Sequence, residues 1–423
     1  MSHCDQAVGP RVDPSCRSFD FTLYFQDLFF AIIPNAVLLV LLVLPVARLL
    51  RAQDVVRRTK SVAVKAALYI LLFTCQTIFL ALRTRQPRLH TPASVAADTL
   101  AIMATLAAAS LSWLQHHRSE QPSALLAIFF ALVSLLNVAR ARSLWLLPHS
   151  TGPAVLQTLV LLQGVGVLLV ESVGKKSALR SPEKFQASGP EPFTGFWNLV
   201  GFSWLLGTLN RGYHSILSVD DLPDLDYRLD SESLREQLAN DKTEKRSLLL
   251  ACFRAYAPSL LSAIFPRLIL SALKFAQPFM ITKLIRFVGD KDVPDDFGRG
   301  LIGAYALVYL GMAVGKIQSL ASTALYGYMT LRFLIRLRGG LIALIYQQTV
   351  EARAVDLGSI NGLTLMGTDV ERIVLNFLTI HEVWASLVEI GIAIFLLQRQ
   401  VFVACLVPGV VTFGKIFVTI IDV

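Results

Sequence analysis

Charge is scarce in this sequence. Of its 423 residues 16% are Asp, Glu, Lys or Arg, while 54% are hydrophobic and the mean hydropathy is +0.57. Soluble domains usually carry about 25% charged residues, so a soluble globular fold is excluded. Cysteine is sparse too: Cys4, Cys16, Cys75, Cys252 and Cys405 have no metal-type pairing. Cys75 and Cys405 lie inside apolar runs as small core residues. Cys4 and Cys16 share the N-terminal tail and can form a disulfide if that tail faces outside. No Asn-x-Ser/Thr acceptor occurs, so N-glycosylation is not expected. The N-terminus lacks a basic n-region and a cleavage site, so the first apolar run reads as a retained span rather than a signal peptide.

Catalytic patterns are missing as well. A phosphate-binding loop needs Gly-x-x-x-x-Gly-Lys-Ser/Thr. Gly409 to Lys415 has the glycine spacing, but Ile416 replaces the hydroxyl and the segment lies in an apolar run. Gly174-Lys175-Lys176-Ser177 lacks the upstream glycine. The seven histidines show no ligand spacing, and the pair His116-His117 reads as a solvated turn. No nucleophile sits beside a base, so neither a catalytic centre nor a metal site is expected in this chain.

What is present is a series of apolar runs of about 20 residues, the length that crosses hydrocarbon. The fold class expected is an all-α polytopic membrane protein. The runs are about Leu28–Ala47, Val62–Leu82, Ala93–Leu114, Ser123–Val138 and Ala154–Val170, then Ser259–Val288, a seventh from Leu301 past Tyr326 towards Arg338, Leu378–Leu397 and Val401–Ile420. Arg48, Arg51, Arg57, Arg58 and Lys60 follow the first run, which places that loop in the cytoplasm and the N-terminus outside. The net charge of +9 then reads as basic residues held at the inner membrane face, not as a nucleic-acid surface. Arg83, Arg85 and Arg88 fall in an outer loop, against this rule. The loop Asp290 to Arg299, with four aspartates, fits an outer turn. Between the fifth and sixth runs lies a cytoplasmic segment whose part Leu229 to Arg246 reads as a soluble-facing helix, N-capped by Asp230 or Ser231.

The stretch Phe193 to Leu225 organises the rest. It carries Phe196, Trp197, Phe202 and Trp204, then Arg211, Gly212, Tyr213 and Asp220-Asp221-Leu222-Pro223. Aromatics flanked by charge suit a short amphipathic segment lying on a membrane surface. The Phe-Trp pair, Phe-Ser-Trp-Leu, Arg-Gly-Tyr and Asp-Asp-Leu-Pro together resemble the lasso linker of C-subfamily ATP-binding-cassette (ABC) exporters, the multidrug-resistance-protein type. Further on, Arg338-Gly-Gly-Leu-Ile-Ala-Leu-Ile-Tyr, Gly367-Thr-Asp-Val-Glu-Arg372 and His381-Glu-Val-Trp384 resemble an intracellular helical extension and the following span of the same exporters.

The resemblance implies an external tail over 1–27, a five-helix accessory membrane domain over 28–172, a cytoplasmic lasso linker over 173–257 and the first part of a transport domain over 258–423. It implies a coupling helix near Ala352 to Asn361, and lasso contacts through Phe196, Trp197, Phe202, Trp204, Arg211, Tyr213, Asp221 and Pro223. Arg267 and Arg372 fall at positions where the family has basic residues lining an anion-accepting pocket. An ionisable group at membrane depth is costly and so a functional candidate. Arg267 can instead pair with a carboxylate such as Glu389, and Arg372 can bond within its own helix. The activity implied is ATP-driven efflux of amphipathic or anionic organic compounds across a plasma or vacuolar membrane. ATP and magnesium would be held by a missing or partner cassette and not by this chain. The partners implied are the bilayer, a small organic substrate and a cassette-bearing chain or region. The alternative is a non-transporting targeting or interaction module derived from such an exporter.

Overall fold

The computed structural model describes residues 5–6, 8–10, 12–13, 16–17, 20–54, 60–148, 150–175, 189–223, 226–242, 248–289, 295–313, 322–351 and 362–401. These are helical, with no β-strand among the described residues. Seven helices are long and apolar enough to cross a membrane. The chain divides into two compact units, Met1–Tyr227 with Asp290–Ile302, and Arg228–Gly289 with Gly303–Val423.

The first unit contains the five expected N-terminal spans. They are α1 (Leu23–Leu50), α2 (Lys60–Arg85), α3 (Ser94–Arg118), α4 (Ala124–Leu146) and α5 (Thr151–Glu171). Each runs beyond its apolar stretch, because polar residues at the helix ends find partners inside the bundle. Helix α1 opens with a π-helical turn over Gln26–Ile32, which buries Gln26 and Asp27. Short helices α6 (Phe196–Val200) and α7 (Leu206–His214) follow. The core is built from Leu38 and Leu42 of α1, Leu72 of α2, Leu111 of α3, Phe130 of α4 and Val167 of α5. Ala104 and Ala108 of α3 are fully buried, since small side chains let membrane helices approach closely. The outward faces stay apolar, as lipid requires: Val40, Leu44, Ile70, Leu162 and Leu169 are exposed. The tail is tied down rather than loose. Arg17 holds Asp5 at 2.8 Å and Asp20 at 3.0 Å, and Thr22 donates to Gly9 O. Cys16 is disulfide-bonded; Cys4 lies outside the described residues.

The second unit contains α8 (Ser231–Lys242), α9 (Leu248–Ala255), α10 (Ala257–Ser262), α11 (Ile264–Gly289), α13 (Ser322–Glu351), α14 (Val370–Leu378) and α15 (Ile380–Val401). Helix α12 (Asp295–Ala313) spans the division between the units. Its start at Asp295 takes part of the acidic segment expected as an outer turn into helix. The single long seventh helix expected from Leu301 onward corresponds to α12 and α13, with 314–321 outside the described residues. The coupling helix expected near Ala352 to Asn361 and the ninth run after Val401 also lie outside them. Helix α8 begins where Asp230 precedes it, and the Leu234 N–H bonds to Asp230 O. Leu234 and Leu238 of α8, Cys252 of α9, and Phe333, Leu337 and Leu341 of α13 form the core of this unit.

Candidate functional sites

Arg267 sits on α11 and is 1% exposed. Its Nε and Nη2 donate to both oxygens of Glu382, at 3.2 and 3.0 Å. Its Nη1 donates to Ser271 Oγ and to Glu389 Oε1, each at 2.7 Å. Ser271 Oγ also donates to Glu389, and Lys274 Nζ lies 3.8 Å from the same carboxylate. Arg267, Ser271 and Lys274 are spaced i, i+4, i+7 on α11, while Glu382 and Glu389 are seven apart on α15. Each set therefore occupies one helix face. Two cations and two carboxylates balance, which removes the cost of an unpaired charge at membrane depth. The alternative pairing with Glu389 is thus present, and Glu382, whose partnership was not foreseen, closes the fork. The His381-to-Trp384 motif divides its work between two faces: Glu382 takes Arg267, while Trp384 Nε1 donates to His381 Nδ1 at 3.1 Å.

Arg372, on α14, is exposed. It has no ion pair among the described residues, whereas its neighbour Glu371 pairs with Arg338 at 3.2 Å. The Arg267 guanidinium is thus filled by carboxylates, while that of Arg372 has no ion pair among the described residues.

The lasso residues divide by burial. Phe193 is buried and accepts at its carbonyl from the Lys175 N–H at 3.1 Å. Lys175 Nζ reaches back to the carbonyls of Gln115 at 2.7 Å, and of Ser119 and Gln121 at 3.3 Å, capping the end of α3. Burial draws its ammonium down to about 7, with Lys65 repelling it and Glu171 opposing the shift. Gly195 has to be glycine, because a Cβ there would lie 1.9 Å from Ser172 O. Phe196 and Trp197 stack edge to face on α6, Trp204 is half-buried, and Phe202 takes a left-handed backbone, φ 52°, between α6 and the turn at Ser203–Leu205. From Leu206 onward the segment is open: Tyr213 is 86% and Ile216 100% exposed, and Arg211, Asp221 and Pro223 are also exposed. Asp221 closes a capping box with Ser218, accepting from its N–H at 2.9 Å and its hydroxyl at 3.0 Å. These bonds hold the Asp221 carboxyl below its ordinary value.

Sequence reasoning missed the ionic clusters of the first unit. Asp27 at the start of α1, Arg83 at the end of α2, Asp98 at the start of α3 and Arg140 late in α4 meet at one end of the bundle. Arg83 holds Asp27 at 2.5 Å and Asp98 at 3.2 Å; Arg140 reaches the same two carboxylates at 3.3 and 3.5 Å. Thr91 donates to Asp27 at 2.6 Å. At the other end Glu171 pairs with Lys65 at 2.6 Å, accepts from Ser112 and lies 3.5 Å from the Tyr69 hydroxyl. The available signal was an acid or base inside or at the edge of nearly every apolar run. His116 and His117 are not a solvated turn: both belong to the last turn of α3, and His116 is buried.

Of the two stretches compared above with a phosphate-binding loop, Gly174-Lys175 lies among the described residues. The Lys175 ammonium is committed to three carbonyls, and a Cβ on Gly174 would already press on Phe193 O at 3.0 Å. Gly409 to Lys415 lies outside the described residues.

Apolar helices with neutralised internal charges define an integral, multi-pass membrane protein. Residues 12–154 match the family described as the ABC transporter TMD0 domain. The chain is 33% identical over 99% of its length to an ABC-type transporter of Gibberella zeae, of which it covers 28%. It is 34% identical over 93% of its length to ABC multidrug transporter B of Aspergillus fumigatus, covering 27% of that protein. A third relative, an ABC multidrug transporter of Purpureocillium lilacinum, is 32% identical over 98% of this chain, with 27% of the relative covered. The chain thus spans little more than a quarter of the length of these curated relatives. Together the similarities relate this membrane protein to ABC transporters.

Proposed function

We propose that this chain is the membrane part of an ABC exporter of the multidrug-resistance-protein type, and that it takes part in efflux of amphipathic or anionic organic compounds. The observation that carries the reading is the order of parts in one chain. A five-helix unit, of which residues 12–154 match the TMD0 domain, is followed by an aromatic linker and then by helices with an internal charge cluster, and similarity to fungal ABC transporters runs through all of it. ATP hydrolysis would come from a cassette outside the described residues, on a partner or elsewhere in a longer protein.

Within this reading Arg372 offers an open guanidinium to an anionic group. Arg267 serves an anion when that anion replaces one of its carboxylates. The lasso residues Phe196, Trp197, Phe202 and Trp204 hold the linker at the membrane surface. The exposed face Leu206, Leu209, Tyr213 and Ile216 continues along it, since so much uncovered apolar surface suits a lipid interface. Arg211, Asp221 and Pro223 shape the turn that follows.

The test is ATP-dependent uptake into inverted vesicles that contain this chain together with its cassette region, using an anionic and a neutral amphipathic dye. Uptake of both dyes is expected, with Arg372→Ala reducing the anionic dye more than the neutral one. Vesicles that bind ATP yet accumulate neither dye would reject the export reading. Equal loss of both dyes in a normally folded Arg372→Ala protein would assign Arg372 a structural role.

A further inference from the structure

We infer that the five-helix unit binds a small cluster of ordered water in a cavity lined by α1 to α5, directly against its Asp98–Arg140 pair. The cavity measures about 40 Å³ and is bordered by Asn35, Gln76, Asp98, Thr105, Asn137, Arg140 and Gln157, with phenyl rings of Phe79 and Phe130 among its walls. At roughly 10–15 Å³ for each water centre, it has room for about three molecules.

The chemistry of the walls selects water. Asn35, Asn137, Gln157 and Thr105 are all buried in the interior of a membrane bundle. Their mutual bonds use half of each amide. Gln157 Nε2 donates to Asn137 Oδ1 at 3.0 Å, Thr105 Oγ1 to Gln76 Oε1 at 2.9 Å, and Asn35 Nδ2 to Ala31 O at 2.8 Å. Asn35 Oδ1, Gln157 Oε1, Gln76 Nε2 and Asn137 Nδ2 are thereby left without a protein partner among the described residues. Two acceptors and two amide donors border one small space. Gly164 also lines the cavity, and Ser134 Oγ, 3.2 Å from where a Gly164 Cβ would stand, is buried with no bond of its own.

Leaving such groups bare costs about 1–3 kcal/mol each, and a buried water commonly satisfies two to four of them. The space is too small for an organic solute, and the Arg140 guanidinium on its rim disfavours a metal cation. Water there links the amides to Asp98 and Arg140 and solvates that pair inside the bundle.

Radiolytic footprinting of the whole chain in lipid nanodiscs tests this. A brief X-ray pulse makes hydroxyl radicals from bound as well as bulk water, so side chains touching internal water are oxidised despite burial. Phe79 and Phe130 should be oxidised, while Phe193 and Phe333, equally buried but away from the cavity, should stay unmodified. The paired variant Asn137→Leu with Gln157→Leu should lose the labelling at Phe79 and Phe130 and retain protection at Phe193 and Phe333. Protection of all four rings in the wild type overturns the inference, and so does labelling at Phe79 and Phe130 that survives in a variant with Phe193 still protected. A variant that fails to fold shows itself by labelling at Phe193, and the wild-type comparison then decides alone.

Discussion

Arg83 shows how one side chain reconciles a topology rule with a fold. As a bare residue in an outer loop it contradicts the positive-inside pattern. Buried between Asp27 and Asp98 it adds no free charge there, while Arg85 and Arg88 remain exposed. Replacing Arg83 by Leu leaves Arg140 alone to balance two buried carboxylates, so Arg83→Leu should destabilise the first unit by about 3–5 kcal/mol. Arg85→Leu, at the surface, should stay within about 0.5 kcal/mol. Thermal unfolding in detergent compares them, and equal melting temperatures would refute the assignment. Asp221 makes a pH statement. Its folded carboxyl lies below the ordinary 3.8, so the capping box adds stability above that value and loses it as pH falls through the folded one. Hydrogen exchange at the Ser218 amide should speed up below about pH 4 beyond the intrinsic trend, and Asp221→Asn should show the fast rate throughout. A Ser218 rate that follows the intrinsic trend in both proteins would remove the box from solution.

The helix pair α8–α13 explains why the sequence reads Arg338-Gly339-Gly340. A Cβ on Gly340 would stand 2.1 Å from the Tyr256 hydroxyl oxygen, and one on Gly339 3.0 Å from Leu234 Cδ1. The Tyr256 hydroxyl itself donates to Leu234 O at 3.1 Å, so the ring cannot simply swing away. Gly340→Ala should therefore cost about 1–3 kcal/mol by overpacking. Cys252 gives the readout: it is buried in the same core, and burial pushes its thiol up to about 11, so it should resist alkylation at pH 8. Alkylation of Cys252 should accelerate in Gly340→Ala, with Gly289→Ala, where a Cβ meets nothing, as control. Unchanged protection would show that the helices can part without loss. The five N-terminal spans were legible because their apolar runs are long and carry few charges. Their ends were not, since the last turns are polar and are fixed by partners far along the chain, such as Lys65 with Glu171. Arg267 was legible as an anomaly in a span. Its double partnership was not, because it depends on α11 and α15 facing each other, although the seven-residue spacing on both helices carried half of that information.

For the molecule as a whole, the proposed export function needs a source of energy, which on that reading is a cassette outside the described residues. Pumping uphill requires a ligand whose affinity differs between two conformations, and in an ATP-driven exporter that ligand is the nucleotide. A P-loop offers phosphate a glycine-rich turn, the water-facing amides of a helix N-terminus, a free lysine and a hydroxyl for magnesium. Here Gly174-Lys175 has its ammonium engaged by three carbonyls. The Gly409 spacing has isoleucine, Ile416, in place of the hydroxyl. Residues 1–423 purified alone should therefore neither bind nor hydrolyse ATP, and vesicles carrying them should let substrate equilibrate but not accumulate. Isothermal titration with Mg-ATP, phosphate release and dye uptake measure the three quantities. Supplying the cassette region should restore accumulation if it docks near Ala352 to Asn361. ATP-dependent accumulation by the isolated chain would mean that these residues hold a nucleotide site of another kind.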